Sequence, residues 1–126
     1  MATIENVKLE ISASAANPAH SLISYSYELC PDAEDCAAQR EFTVTAGLWG
    51  QDLLDDDVLA TDLDEHTVSV GHQGSTDTVR VERRFEVETK LLDEDLVGDD
   101  EVFLIVEAGD GENRVSGKSN TVIGDF

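Results

Sequence analysis

The sequence predicts an all-β fold, a single antiparallel β-sandwich of about seven strands that takes in residues 1–126. Apolar residues recur at every second position in nearly every segment, which is the period of a strand with one buried face. Residues that favour turns separate these segments. A chain of 126 residues is long enough to bury a two-layer core.

The first three predicted strands each place a row of apolar side chains on one face. The rows are Val7, Leu9, Ile11 and Ala13 in the first strand, Ile23, Tyr25, Tyr27 and Leu29 in the second, and Phe42, Val44, Ala46 and Leu48 in the third. Mostly polar residues occupy the positions between them, so we expect the opposite faces to meet water.

Three more strands are expected before a final turn and strand. Their apolar markers are Val68 and Val70 in the fourth, Val79, Val81, Phe85, Val87 and Leu91 in the fifth, and the run from Val102 to Val106 in the sixth. This run is apolar on both faces, which is typical of a strand in the middle of a sheet. Asp110-Gly111 then predicts a tight turn, and a last strand is expected from Arg114 to Ile123.

Two features interrupt this pattern and are candidates for contact with other chains. Residues 51–65 show no strand alternation and are expected to form one helical turn or a covering loop, with Leu53 and Leu54 available to a neighbour. Arg83 lies on the apolar face of the fifth strand. A buried charge is costly without a partner, so we expect Arg83 to lie near a sheet edge and reach outward, or to pair with a carboxylate.

The segment LLDEDLVGDDEVFLIVEA resembles the corner between the fifth and sixth strands of immunoglobulin-like and fibronectin-III-like domains. With the number and order of the strands, this resemblance implies an immunoglobulin-like sandwich. The two cysteines do not match the inter-sheet pair of antibody domains, because both lie in one short segment. The similarity is to an architecture, and an architecture alone does not define a function.

Acidic residues dominate the charge of the chain. Its 28 Asp and Glu against eight Lys and Arg give a formal net charge of −20. Such a surface repels itself at ordinary ionic strength, where the Debye length is about 8 Å, and much less at about 1 M salt, where it is about 3 Å. This composition resembles that of proteins from extreme halophiles. Direct nucleic-acid binding is not expected, because it requires a basic surface.

The N-terminal residues MATIENVKLEI contain neither the basic nor the apolar region of a secretory signal. No apolar run approaches the roughly 20 residues of a membrane span. We therefore expect a soluble protein with no membrane span. It is expected in a virion or another extracellular high-salt environment that it reaches by another route, with the cytoplasm as the alternative.

Cys30 and Cys36 lie in the turn-rich segment CPDAEDC and are predicted to form a structural disulfide. Closing so short a loop would add about 2 kcal/mol, and a bridge would favour an oxidising, extracellular setting. Two free thiols are the alternative interpretation.

Acidic clusters raise the question of bound cations. The segment after Asp93 has part of the EF-hand spacing but lacks the carboxylate at the twelfth position, so an EF-hand is excluded. A looser site for Ca²⁺ or another cation is the candidate, and a solvated acidic turn is the alternative. The candidate ligands are Asp93, Asp95, Asp99 and Asp100.

No catalytic motif and no other cofactor signal is present, so the chain is predicted not to be an enzyme. The leading hypothesis is a structural or binding module, a homo-oligomeric subunit or decoration protein of a larger assembly such as the capsid, turret or tail of a halophile virus. A calcium-binding cell-surface or adhesion domain is one alternative. A cytosolic acidic inhibitor or DNA mimic is the other.

Overall fold

The computed structural model describes residues 2–50, 57–71, 77–92 and 100–124. In this part of the chain the elements are β1 (Thr3–Ala13), β2 (His20–Cys30), α1 (Ala33–Ala37), β3 (Glu41–Gly50), β4 (Asp57–Ser69), β5 (Val79–Glu88), a 3-10 helix (Thr89–Leu91), β6 (Asp100–Gly109), β7 (Arg114–Lys118) and β8 (Val122–Gly124). The predicted all-β sandwich is confirmed, since two antiparallel sheets pack together.

The two sheets differ in size. The three-stranded sheet has the order β1-β2-β5, and the five-stranded sheet has the order β4-β3-β6-β7, with β8 also paired to β6. All the pairs are antiparallel. As a result β5 and β1 are the edges of the smaller sheet, and β4 and β7 are edges of the larger one.

The core lies between the sheets and is built by the inward faces of their central strands. In β2, β3 and β6 the alternation places one row of side chains out of contact with water. The largest side chains in this core with less than 2% exposure are Tyr27, Phe42, Ile23, Leu29, Leu48, Leu92 and Leu104. The predicted apolar faces of β2 and β3 are therefore confirmed, as is the central position of β6.

The prediction for residues 51–65 is wrong where the structure describes it, because residues 57–65 belong to the strand β4. The pairing of β3 with β4 shifts register on both sides of Leu48, and Asp62 adopts a positive φ of 54°. Such bulges insert extra residues and destroy the two-residue alternation. Gly47 fits beside this irregular segment, because a Cβ there would lie 2.9 Å from the carbonyl oxygen of Ala60.

The single last strand predicted from Arg114 to Ile123 is also wrong, since the segment divides into β7 and β8. The break occurs at Ser119, whose backbone N–H donates to the Leu104 carbonyl at 2.9 Å. Next to it, the side chain of Asn120 accepts from the Leu9 N–H at 2.8 Å and donates to the Leu9 carbonyl at 3.1 Å. Asn120 thus satisfies backbone groups on the edge of β1 in place of another strand.

The predicted disulfide is not formed, and both cysteines are free thiols. The segment between them begins the helix α1, where Asp32 and Asp35 form a reciprocal capping box. This helix buries Cys36, which is 4% exposed. Cys30, at the end of β2, instead donates from Sγ to Glu5 at 3.4 Å. The two sulfurs therefore have different surroundings.

The helices of the described residues span no more than a few residues each, and none has the length and apolar character needed to cross a bilayer.

Candidate functional site

A cluster of ionisable side chains connects the two sheets on the side where the edge strands β5 and β4 lie. We call it the inter-sheet cluster. Its members come from β2 and β5 of the smaller sheet and from β4 of the larger one, and they are Tyr25, Tyr27, Asp64, His66 and Arg83.

The centre of the inter-sheet cluster is an ion pair between Arg83 and Asp64. Nε of Arg83 donates to Oδ2 of Asp64 at 2.9 Å, and Nη2 donates to Oδ1 at 3.0 Å. This two-point geometry is the strong form of an arginine–carboxylate contact. Hydrogen bonding to Arg83 lowers the pKa of Asp64, and hydrogen bonding to Asp64 raises the pKa of Arg83. Both groups therefore remain charged in the folded protein.

The position of Arg83 agrees with both expectations from the sequence, because it lies on an edge strand and pairs with a carboxylate. Its side chain remains 37% exposed, whereas that of Asp64 is 13% exposed. Asp64 was not recognised as the partner, because it lies in the bulged half of β4 where no strand was predicted.

Two tyrosines of the central strand β2 complete the hydrogen bonds on the core side. The Tyr25 hydroxyl donates to Oδ2 of Asp64 at 2.6 Å, and the Tyr27 hydroxyl is 2.5 Å from Nε2 of His66. Burial raises the pKa of both tyrosines, and the hydrogen bond to Asp64 raises that of Tyr25 further. Both hydroxyls therefore stay protonated at neutral pH.

The surroundings of His66 favour its neutral form. Burial and the nearby charge of Arg83 lower the pKa of His66, against an opposing effect of Asp64. Nδ1 of His66 lies 3.8 Å from Oδ2 of Asp64. This nitrogen is buried and has no hydrogen-bond partner in the described part of the chain.

The protonation states of the inter-sheet cluster suit a structural contact better than proton transfer. A general acid or base works best when its pKa is near the working pH. In the cluster, the pKa values of the tyrosines and of Arg83 are raised and that of Asp64 is lowered, all away from neutrality. Chemically, the arrangement is a hydrogen-bonded brace between two sheets.

We expect the stability of the protein to fall between about pH 7 and about pH 5 more steeply than that of a His66→Gln variant. The folded state lowers the pKa of His66, so the unfolded state takes up the proton first as the pH decreases. This uptake favours unfolding from the ordinary histidine pKa downward. Urea unfolding at several pH values, compared between the two proteins, measures the effect. If the free energies of unfolding of the two proteins fall in parallel as the pH decreases, the prediction is wrong, because the carboxylates that both proteins share then account for the whole loss.

The outer face of the smaller sheet carries a groove of about 520 Å³. The small side chains of Ser24 and Ser26 lie between longer charged residues of β1 and β5. Across the sheet, Lys8 and Glu82 flank Ser26, while Glu10 and Arg84 flank Ser24. Cations and carboxylates alternate in this groove.

Several predicted candidates lie outside the described residues or have no described side chain. The backbone of Asp100 begins β6, but its side chain is not described. Those outside are Leu53, Leu54, Asp93, Asp95 and Asp99. The cation and loop-interface predictions therefore stay predictions.

A group of potential metal ligands that was not predicted lies on β1 and β2. One ligand atom each from Glu5, Glu28 and Cys30 falls within 4.8 Å of the others. Glu5 faces Glu28 across the strand pair, and Asn6 donates to Glu28 at 2.7 Å. A thiol with two carboxylates is not the all-oxygen ligand set of Ca²⁺. The pair across the strands could not be found before the register was known.

Comparison with protein-family models, with curated proteins and with solved structures finds no match for this chain.

Proposed function

We propose that the protein is a non-enzymatic structural module, which works by contact as a subunit or decoration protein of a larger assembly in a high-salt environment. A virion of a halophile virus, with a capsid, turret or tail position, is the kind of assembly that fits the composition. The inter-sheet cluster is the observation that carries this proposal. Its hydrogen bonds join β2 and β5 of the smaller sheet to β4 of the larger one, and the pKa values of Tyr25, Asp64 and Arg83 are moved away from neutrality.

The charge distribution supports the high-salt part of the proposal. The net charge is −20, so copies of the chain repel one another at low ionic strength and approach freely only when this repulsion is screened. Several cations are already neutralised within the chain. Arg40 pairs with Asp35 at 3.1 Å and with Asp110 at 3.3 Å, and Arg83 pairs with Asp64.

The test is the solution mass by light scattering at about 3 M NaCl, repeated after dialysis to about 0.1 M NaCl. We expect a discrete oligomer in concentrated salt. At low salt we expect it to dissociate or to lose its β-sheet circular dichroism, because the acidic surfaces then repel. The same series in KCl separates screening by any salt from an effect of sodium.

A folded monomer at both salt concentrations would overturn the proposal. Such a result would favour the cytosolic inhibitor or DNA mimic, for which a basic protein partner would be sought. An oligomer that is equally stable at both concentrations would preserve the assembly function and remove its high-salt setting.

A further inference from the structure

The two edge strands of the smaller sheet differ in what meets the backbone groups on their outer sides. On the β1 side, the side chain of Asn120 satisfies backbone groups at Leu9. On the other side, within the described residues, β5 pairs only with β2. An edge strand of ten residues presents a row of backbone donors and acceptors that another strand can meet.

The inward row of β5 is incompletely covered. In the neighbouring β2, the inward side chains of Ile23, Tyr25 and Tyr27 are at most 3% exposed. In β5, Val79, Val81 and Phe85 of the corresponding row remain half-buried. A further strand beside β5 would cover these apolar side chains.

The outward row of β5 alternates in charge and is complementary to itself. From the start of the strand it reads Arg80, Glu82, Arg84 and Glu86, and Glu88 at the end of the strand lies outside this alternation. When two such rows run antiparallel with Arg80 opposite Glu86, Glu82 falls opposite Arg84. Each position on one copy then faces the opposite charge on the other. Opposite charges facing each other across two strands stabilise the pair, and like charges destabilise it.

We propose that β5 pairs with β5 of a second copy of this chain, antiparallel about a two-fold axis at Arg83. The two three-stranded sheets then form one continuous sheet across the dimer. This inference rests on the proposed assembly function and identifies the surface and the partner for its first contact. A two-fold contact of this kind uses the same strand on both copies and is closed, as is usual in symmetric dimers.

The inward row supports the same register. With the axis at Arg83, Val79 faces Val87 of the second copy and Val81 faces Phe85 of the second copy. Both are apolar pairs, which favour sheet contacts. The two Arg83 side chains face each other at the axis, and this like-charge contact is offset because each arginine keeps its own Asp64 at 2.9 Å.

Neighbouring registers lose this complementarity. A shift of two residues in one direction places Arg80 opposite Arg84 and Glu82 opposite itself. A shift in the other direction places Glu82 opposite Glu86 and Arg84 opposite itself. A shift of one residue turns the apolar row of one copy toward the polar row of the other. The charges on β5 therefore select one register.

Charge reversals at the centre of β5 test the pairing. The dimer dissociation constant is measured by sedimentation equilibrium at the lowest NaCl concentration at which the unmodified protein is folded and self-associates, because salt screens contacts between exposed charges. Either Glu82→Arg or Arg84→Glu is expected to raise this constant about tenfold, because each change creates two like-charge contacts by symmetry. The double variant with both changes restores opposite charges at both contacts and is expected to recover the dimer.

Two variants on the same outer face serve as matched controls. Glu10→Arg and Lys8→Glu make the same charge changes on β1, at the far edge of the smaller sheet. They alter the net charge equally and are expected to leave the dissociation constant unchanged. Circular dichroism checks that every variant folds.

The outcomes separate this inference from the proposed function. Suppose that the unmodified protein oligomerises in salt. If the single variants then associate as tightly as it does, or if the double variant fails to recover the dimer, the pairing through β5 is wrong and the assembly function still stands. A monomer at all protein concentrations overturns both. If the reversals fail to fold, amide hydrogen exchange of the unmodified protein decides. Protection of β5 amides that grows with protein concentration is expected, and unchanged protection overturns the pairing.

Discussion

Replacing Asp64 with alanine is expected to lower the free energy of unfolding by about 3 kcal/mol. Asp64 accepts two hydrogen bonds from Arg83 and one from the Tyr25 hydroxyl. Tyr25 is only 3% exposed, so its hydroxyl would be left buried without an acceptor. Arg83 would lose its counter-ion, at a reduced cost because its side chain is 37% exposed and can reach water.

The matched control is Glu107→Ala, which removes the same charge from the larger sheet. Glu107 is 46% exposed, and its partner Arg114 lies 3.8 Å away and is 77% exposed. Exposed pairs of this kind contribute little, so we expect a change within about 0.5 kcal/mol. Urea unfolding at one fixed high salt concentration compares the two variants. Equal losses would show that Asp64 acts only through its contribution to the net charge.

The sequence predicted the fold best where the strands are regular. In β2, the pairing with β5 runs without a shift from His20 to Leu29, and the alternating apolar positions of β2 are the buried ones. In β4, the bulges near Asp62 and the shifts beside Leu48 break the alternation. A two-residue period can detect only strands that keep it, so the sequence pattern predicts a helical turn or a loop for the most irregular strand.

The short helix α1 was missed for a different reason. Its five residues are too few for a helical period to emerge. The usable signal was local, because Asp32 followed three residues later by Asp35 is an acidic form of the capping box. The disulfide prediction depends on a turn between the two cysteines, whereas the structure has a helix that buries Cys36.

The inter-sheet cluster could be located only in part. Arg83 was identified, since a charge on an apolar face requires an explanation. Tyr25 and Tyr27 were predicted as inward-facing residues, but their hydroxyl partners were not. Asp64 is one of 28 acidic residues, and composition does not distinguish it from the others. Its role depends on how the two sheets pack, which no periodicity within a strand encodes.

Replacing Gly71 with alanine is expected to lower the free energy of unfolding by about 3 kcal/mol. Gly71 has a φ of +74°, and a Cβ there would meet the backbone carbonyl oxygen of Cys36 in α1. Its neighbour Val70 donates to the Arg40 carbonyl at 3.0 Å, which fixes the chain against the segment after the helix. The alanine therefore adds a steric conflict with backbone to an unfavourable conformation, and α1 must move to relieve it.

Gly111→Ala separates these two costs. Gly111 also has a positive φ, of +100°, but a Cβ there would meet no atom within 4 Å. Only the conformational cost remains, so we expect a loss of about 1 kcal/mol. Urea unfolding of both variants, with the reactivity of the Cys36 thiol toward a maleimide as a second readout, tests the difference. If α1 is displaced, Cys36 reacts faster in Gly71→Ala and not in Gly111→Ala. Equal stability losses with an unreactive Cys36 in both variants would show that the approach of Gly71 to the helix does not constrain the fold.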